Sequence, residues 1–461
     1  MNPATLVPVE LLRKYDRPGP RYTSYPTVPV WSDQIGPDQY ASALQAASQK
    51  ADESLAIYCH IPFCRKRCYY CGCNTVVSND PCRGENYVSV LGNEIEAVHG
   101  YLGKRRHVAL IHFGGGTPTY LNTAELTELL GHLRRHFRFL PKAEMSMEVD
   151  PRVTTFEQID FLADQGFNRI SMGVQDFTLE VQQASGRVQP YETVARLIEH
   201  CRTRSFSGIN IDLIYGLPRQ TVATFTDTLN KALALKPDRV AVYSFAYLPK
   251  SMPHQAMIKP EDLPVTEVKY QLYASAIEKF TGAGYRQIGM DHFALPEDEL
   301  SLAQIDGRLN RNFMGYTVQQ APEMIGFGMS AIGYVNNAFF QSISKLDSYE
   351  NAIKDKGIAI YRGCLLSTDD LIRQYTITNL MCNFQLRFAD LSSRFGVKYH
   401  DYFAGVETQH EGFVADGLLV IHDDRLEITP RGRTFVRNIA MTFDAYLAAG
   451  PEKAPTFSRT I

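Results

Sequence analysis

The chain is most informative first through what it does without. No apolar run in its 461 residues approaches the ~18 needed to cross a bilayer as a helix, so no membrane span is expected. Its opening residues, MNPATLVPVELLRKYDRPGP, lack the basic-then-apolar order of a secretory signal, and a cytoplasmic location is expected. Charge of neither sign dominates: 47 Lys and Arg face 50 Asp and Glu, a net of -3 that gives no reason to expect nucleic acid or an anionic membrane as partner. There is no low-complexity tract, no heptad pattern and no repeat beyond an alternation of strands and helices, and a monomer is expected. A disulfide framework is missing too. The nine cysteines are an odd number, and four of them, Cys64, Cys68, Cys71 and Cys73, crowd into one short run, which in a reducing compartment signals metal binding or thiol chemistry.

What is present is an ordinary globular composition, 44% hydrophobic and 21% charged, in a chain long enough for a large catalytic domain plus smaller elements. Apolar, β-branched runs at 55–61, 108–113, 144–149, 168–174, 208–214 and 239–245 alternate with amphipathic stretches at 85–98, 123–136, 155–165, 192–202 and 222–234. Each amphipathic stretch is long enough to cross back to a parallel neighbour, so the pattern predicts an α/β fold, a partial TIM-like barrel of six βα units open on one side. The predicted strands run into GGGTP, VDP, QDF and YGLP, at the carboxyl ends where active sites of such barrels gather. Residues 1–50, with PGPRYTSYPT, read as an ordered arm; 51–360 as the barrel and its extension; 361–461 as a smaller, mostly helical domain in which GLLVIHDDRLEITPRG forms a winged-helix-like hairpin.

The densest chemistry lies in YCHIPFCRKRCYYCGCN, residues 58–74, directly after the first strand. Thiolates at spacings of four and three can wrap one iron–sulfur cluster from a single loop, and three ligands on a four-iron cube leave one iron open to a substrate's amino and carboxylate groups. Cys73 is a possible fourth ligand. The residues alone also allow a closed zinc site, although zinc knuckles usually pair across a longer intervening loop. Arg65, Lys66 and Arg67 either lower neighbouring thiol pKa values or form a solvated turn.

The glycines of Gly114-Gly115-Gly116-Thr117-Pro118 either make a tight bend or let exposed backbone meet a ligand. Glu148, Gln175 and Asp212 place polar side chains at the ends of otherwise apolar strands, where they contact a ligand or cap the next helix. Arg187 suits a ligand contact or the surface.

CxxxCxxC with an aromatic, Tyr70, before the last cysteine resembles the signature of the radical S-adenosylmethionine (SAM) superfamily. Across nearly the whole chain, GPRYTSYPT, the cysteine run, HFGGGTPTYL, EVDPR, RISMGVQDF, NIDLIYGLP, GMDHFA, RNFMGYT and RNIAMTFDAYL resemble the oxygen-independent coproporphyrinogen III oxidases. The resemblance implies a 4Fe-4S cluster on Cys64, Cys68 and Cys71 and two SAM molecules. The first would lie near Tyr58, Gly115, Glu148 and Ile332, the second near Gly116, Thr117, Gln175, Arg187, Asp212 and Ala246, with Tyr70 also among the cofactor-binding residues. It implies cleavage of SAM to a 5'-deoxyadenosyl radical and conversion of two propionates of coproporphyrinogen III to vinyl groups, giving protoporphyrinogen IX, with electrons from a reduced flavodoxin- or ferredoxin-type donor. A hydrogen atom can be removed from a propionate β-carbon that has no acidic proton. Arg21, Tyr22 and Arg311 are candidates to grip propionates. A heme-trafficking paralogue of the same fold would lack Cys73 and the YTSYP arm, and a zinc-stabilised binding module would lack the strand-end residues' purpose. The departures are small: Cys59 where relatives carry an apolar residue, and Tyr70 where phenylalanine is common.

Overall fold

The computed structural model describes residues 7–204, 206–318, 321–447 and 457–460. Six strands, β1 (Leu55–Ile61), β2 (His107–Gly115), β3 (Arg138–Val149), β4 (Arg169–Gln175), β5 (Gly208–Tyr215) and β6 (Arg239–Ser244), lie side by side in sequence order and pair in parallel. Between them run α1 (Arg83–Leu102), α2 (Thr123–His136), α3 (Phe156–Asp164), α4 (Tyr191–Thr203) and α5 (Val222–Ala234). Capping boxes at Asn122/Glu125, Thr155/Gln158 and Thr221/Thr224 start α2, α3 and α5 by satisfying amide groups the first helical turn leaves open.

Each strand has two faces of different character. Ile209, Ile211 and Leu213 of β5, like Met145, Met147 and Val149 of β3, are buried in the main apolar core that takes in the helices. The residues between them, Gly208, Asn210 and Asp212, and Glu144, Ser146 and Glu148, line a cavity of about 130 Å³ on the other face. The concave side of the sheet is therefore polar. Its deep end is closed by ion pairs of Arg169 with Glu144 (2.9 Å) and Glu299 (2.7 Å), and of Arg239 with Asp298 (2.9 Å).

The sheet extends to twelve strands. Glu323–Phe327 pairs in parallel with β1 and continues into an antiparallel meander of Ile332–Val335, Ala338–Ser342 and Ile360–Leu365. At the other edge His292–Ala294 runs antiparallel to β6, with Arg286–Ile288 outside it. The outermost strands at both edges pair antiparallel with their neighbours, and among the described residues they do not pair with each other, so the six βα units form an open barrel.

A second apolar core lies beyond β6. The hairpin expected within 417–432 forms from Leu419–Ile421 and Arg425–Ile428 and gains Gln385–Arg387 as a third strand. Leu12, Tyr15, Tyr22 and Tyr25 from the N-terminal segment are buried in this core with Leu380, Leu391, Phe403 and Phe435. The helix Pro37–Ala47 goes the other way: its Tyr40, Ala43 and Leu44 join the barrel core. No helix of the described residues is long and apolar enough to cross a membrane.

Candidate active site

The cysteine loop leaves the carboxyl end of β1 and is fastened at several points. Tyr69 N–H donates to Ser185 O (3.0 Å), and the Tyr69 ring lies so close to Gly186 that a Cβ there would sit 3.0 Å from it; at φ +68° the position also favours glycine. Arg67 donates to both the side chain and the carbonyl of Thr75, while Arg65 and Lys66 are exposed, so of the three basic residues one staples the loop and two make the solvated turn.

Two guanidinium groups converge on Cys68. Arg152 Nη2 lies 3.6 Å and Arg187 Nη1 3.7 Å from its Sγ, and both pair with the Asp150 carboxylate, at 2.6 and 3.1 Å. Those cations hold the Asp150 carboxyl below its ordinary range against the cost of its burial. Arg187 also donates to Gly173 O at the end of β4 and to Gln189. It is a buried bridge between the cysteine loop and the strand ends, not a surface residue. Cys64 Sγ is 3.4 Å from Thr117 Oγ1, and burial pushes its thiol up to about 11. The Cys71 thiol moves the other way, down to about 6, chiefly through a hydrogen bond from Cys73, with Arg67 and Arg187 adding to it. Cys73 is thus a direct neighbour of Cys71.

The glycine run sits against this loop. Gly116 N–H donates to Ile61 O (2.8 Å) and Thr117 N–H to Phe63 O (2.8 Å); a Cβ on Gly116 would lie 2.5 Å from Pro62 O, so only glycine fits. Gly115, at φ +118°, turns its N–H to Glu148 Oε2 (3.2 Å). Glu148 is not a helix cap: its other oxygen meets His112 Nε2 (3.3 Å), and these contacts hold its carboxyl below the ordinary range despite burial. His112 stacks on Tyr58 (6.0 Å, 15°), which bonds His60 (3.0 Å), so Tyr58, His112 and Glu148 form one polar wall. Ile332 lies across Gly326, the register partner of Tyr58.

Asp212, two strands along in the same cavity, accepts from Asn210 (2.9 Å) and Ser171 (3.3 Å), but burial and the charge of Glu148 push its carboxyl up to about 6. Gln175 sits at φ +68° with a buried Oε1 that no protein group among the described residues satisfies. Ala246 is reached through Gln255, which donates to Ala246 O (3.1 Å) and Tyr70 O (3.4 Å), and the adjacent His254 donates to Cys71 O (2.7 Å).

The strand-end residues are therefore brought together around the cysteine loop. The propionate candidates are not. Tyr22 is buried in the second core with its hydroxyl on Asp444 (2.9 Å). Arg21 and Arg311 do meet, but on Asp291, at 2.7 and 3.7 Å, and Arg311 also donates to Arg21 O (2.8 Å). Sequence reasoning passed over His112, Asp150, Arg152, His254 and Gln255. His112 was open to it, as a polar residue on the inward parity of a strand that is otherwise apolar.

A thiolate loop at the head of an open six-stranded β/α barrel, facing a polar strand-end wall, defines a radical SAM enzyme, and the Radical SAM superfamily model matches residues 58–232. The HemN C-terminal domain model matches residues 366–435. The oxygen-independent coproporphyrinogen III oxidases of Pseudomonas aeruginosa and Escherichia coli are both 42% identical to this chain, over 95% and 98% of it and the same shares of their own lengths. A solved structure described as coproporphyrinogen III oxidase (HemN) from Escherichia coli, a radical SAM enzyme, superposes with a TM-score of 0.91 at 39% identity, covering 96% of this chain and 100% of that one. The chain belongs to the oxygen-independent coproporphyrinogen III oxidase family, and it is an oxidoreductase of the radical SAM class.

Proposed function

We infer that the protein oxidatively decarboxylates two propionates of coproporphyrinogen III to vinyl groups without oxygen, forming protoporphyrinogen IX for heme synthesis, with two SAM molecules and a 4Fe-4S cluster held by Cys64, Cys68 and Cys71. The observation that carries the reading is the joining of the cysteine loop to the strand ends by Arg187, which reaches Cys68, Asp150 and the end of β4 at once.

The residues fit these groups. Three thiols on one loop match the soft ligands such a cluster takes. Cys73, bonded to Cys71, reads as a neighbour and not a fourth ligand. The orphaned Gln175 Oε1 and Arg187 Nε are buried polar atoms in want of partners. Bound, the cluster and SAM supply a one-electron route to removing a hydrogen atom from an unactivated carbon.

The chain's own residues bind and shield. Glu148, fixed by His112 and Gly115 and kept ionised, offers a carboxylate to an ammonium group. Arg187 and Arg152 present cations at the cysteine loop, and Tyr58, Tyr70 and Ile332 supply rings and an apolar edge. The arm brings Arg21 beside Tyr215 and Ser244 at the carboxyl ends of β5 and β6. A reduced flavodoxin- or ferredoxin-type donor, a monomeric state and a cytoplasmic location complete the proposal.

Anaerobic reconstitution with iron and sulfide, followed by SAM, a reductant and coproporphyrinogen III, tests it. Release of 5'-deoxyadenosine together with divinyl product is expected. Cofactor cleavage without vinyl product would move the substrate elsewhere, and failure to bind iron would overturn the reading.

A further inference from the structure

One polar group on the cavity wall has no part in the site described above. His292, on the strand antiparallel to β6, pairs in register with Ala241, which pairs with Asp212, which pairs with Gly173. It therefore stands in the same row as the strand-end residues, across the cavity from Glu148, and it lines that cavity with Asp212, Tyr243 and Tyr316.

Its orientation is fixed by three contacts. Nδ1 lies 2.7 Å from Asp291 Oδ1, and the ring packs edge-on against Tyr243 (5.6 Å, 82°) and Tyr316 (4.9 Å, 77°). With Nδ1–H given to a carboxylate, the ring's remaining nitrogen, Nε2, is left for a ligand, and no hydrogen bond to it is found among the described residues. Asp291 in turn is buried, with Arg21 at 2.7 Å and Arg311 at 3.7 Å. Two guanidinium charges against one carboxylate leave this wall net positive before the imidazole is counted. Glu148 stands across the cavity, with Asp212 between it and His292 on β5. An anionic group entering the cavity is driven toward the side that carries Arg21, Arg311 and His292 and away from Glu148.

The geometry points to His292 as a substrate-binding residue that, protonated on both ring nitrogens, takes a propionate carboxylate of the porphyrinogen on Nε2–H while Nδ1–H stays on Asp291, the positioning residue behind it. This rests on the substrate reading above. Arg21 and Arg311 then act on the substrate through Asp291, since their guanidinium groups are turned to it and to the arm's own backbone.

The test uses the reconstituted holoenzyme with two non-reactive probes, coproporphyrin III and its uncharged tetra-amide, whose binding is followed by fluorescence. The wild type should prefer the tetra-acid. His292→Gln should weaken tetra-acid binding at least tenfold, raise the KM for coproporphyrinogen III by a similar factor with little loss of kcat, and leave amide binding and SAM cleavage within about twofold; Asp291→Asn should move tetra-acid binding the same way by less. Unchanged tetra-acid affinity in His292→Gln overturns the assignment, and an equal loss for acid and amide overturns it too, since that pattern marks lost packing. A wild type that cleaves SAM yet neither binds the tetra-acid nor converts coproporphyrinogen III instead removes the substrate reading, and the inference falls with it.

Discussion

Asp212 shows how a residue can serve the site at the expense of the fold. Its carboxyl, ordinarily near ~3.9, is pushed up to about 6 because burial and Glu148 both disfavour its charge. Below about pH 4 the group is protonated in folded and unfolded chains alike and costs nothing. As pH rises through about 6 the folded protein must ionise a group that the unfolded chain ionises more readily, and stability falls. Asp212→Asn can keep the local bonds, taking the Asn210 donor on its oxygen and giving its amide to Ser171. We expect that variant to gain about 1–3 kcal/mol at pH 7, with the gain vanishing near pH 4, and to lose most activity; denaturant unfolding at several pH values measures the first and vinyl product the second. Arg187 makes the opposite case, because its removal takes one of the two cations from Asp150, whose carboxyl is held below its ordinary range, and leaves Arg152 as its partner. Arg187→Met should cost about 1–3 kcal/mol and abolish SAM cleavage, and a variant that unfolds like the wild type would contradict the bridge assigned to it.

At the scale of elements, the floor of the barrel predicts its own weak point. Arg239 on β6 reaches Asp298 and Glu299, both just outside the strand, and is itself buried in the sheet's concave face. Arg239→Met should lower stability by about 3 kcal/mol, a loss that added salt does not reproduce in the wild type because the pair is shielded from solvent ions; thermal melts at low and high salt check this. The six parallel strands and five crossover helices were legible in the sequence because each is a long local pattern, with apolar residues facing the helices and polar residues at strand ends. The strands from Glu323 to Leu365 were not. They are runs of four to six residues, and Glu323–Phe327 finds its partner in β1 some 270 positions earlier, a pairing that no local periodicity announces. The candidate site divides the same way. Cys64, Glu148 and Asp212 stand out within their own segments, whereas the value of Arg187, Asp150 and His292 lies in contacts between segments.

At the scale of the whole molecule, the chain's two ends are tied to one residue of the second core. Arg437 is buried, and it donates to Gly19 O, to Pro20 O (3.0 Å), to Ser458 O (3.4 Å) and to Arg459 O (2.9 Å). None of these hydrogen-bond partners is a carboxylate, and burial with the nearby Arg21 and Arg311 outweighs the pull of Asp291 and lowers its pKa to about 9. The arm so held carries Arg21 to Asp291 and thereby reaches the cavity wall. Arg437→Met keeps the apolar stem while removing every donor. The carbonyls of both segments lose their partner, at a cost of about 2–4 kcal/mol. The loosening should be local: faster hydrogen exchange at residues 18–27 and 457–460, with the strands from Leu55 to Ser244 protected as before. If the arm orders the mouth of the barrel, the same variant should cleave SAM at the wild-type rate but release 5'-deoxyadenosine without matching vinyl product, because the cysteine loop is untouched while the substrate wall is no longer held. Coupled turnover at the wild-type ratio would show instead that the arm's anchorage serves stability alone.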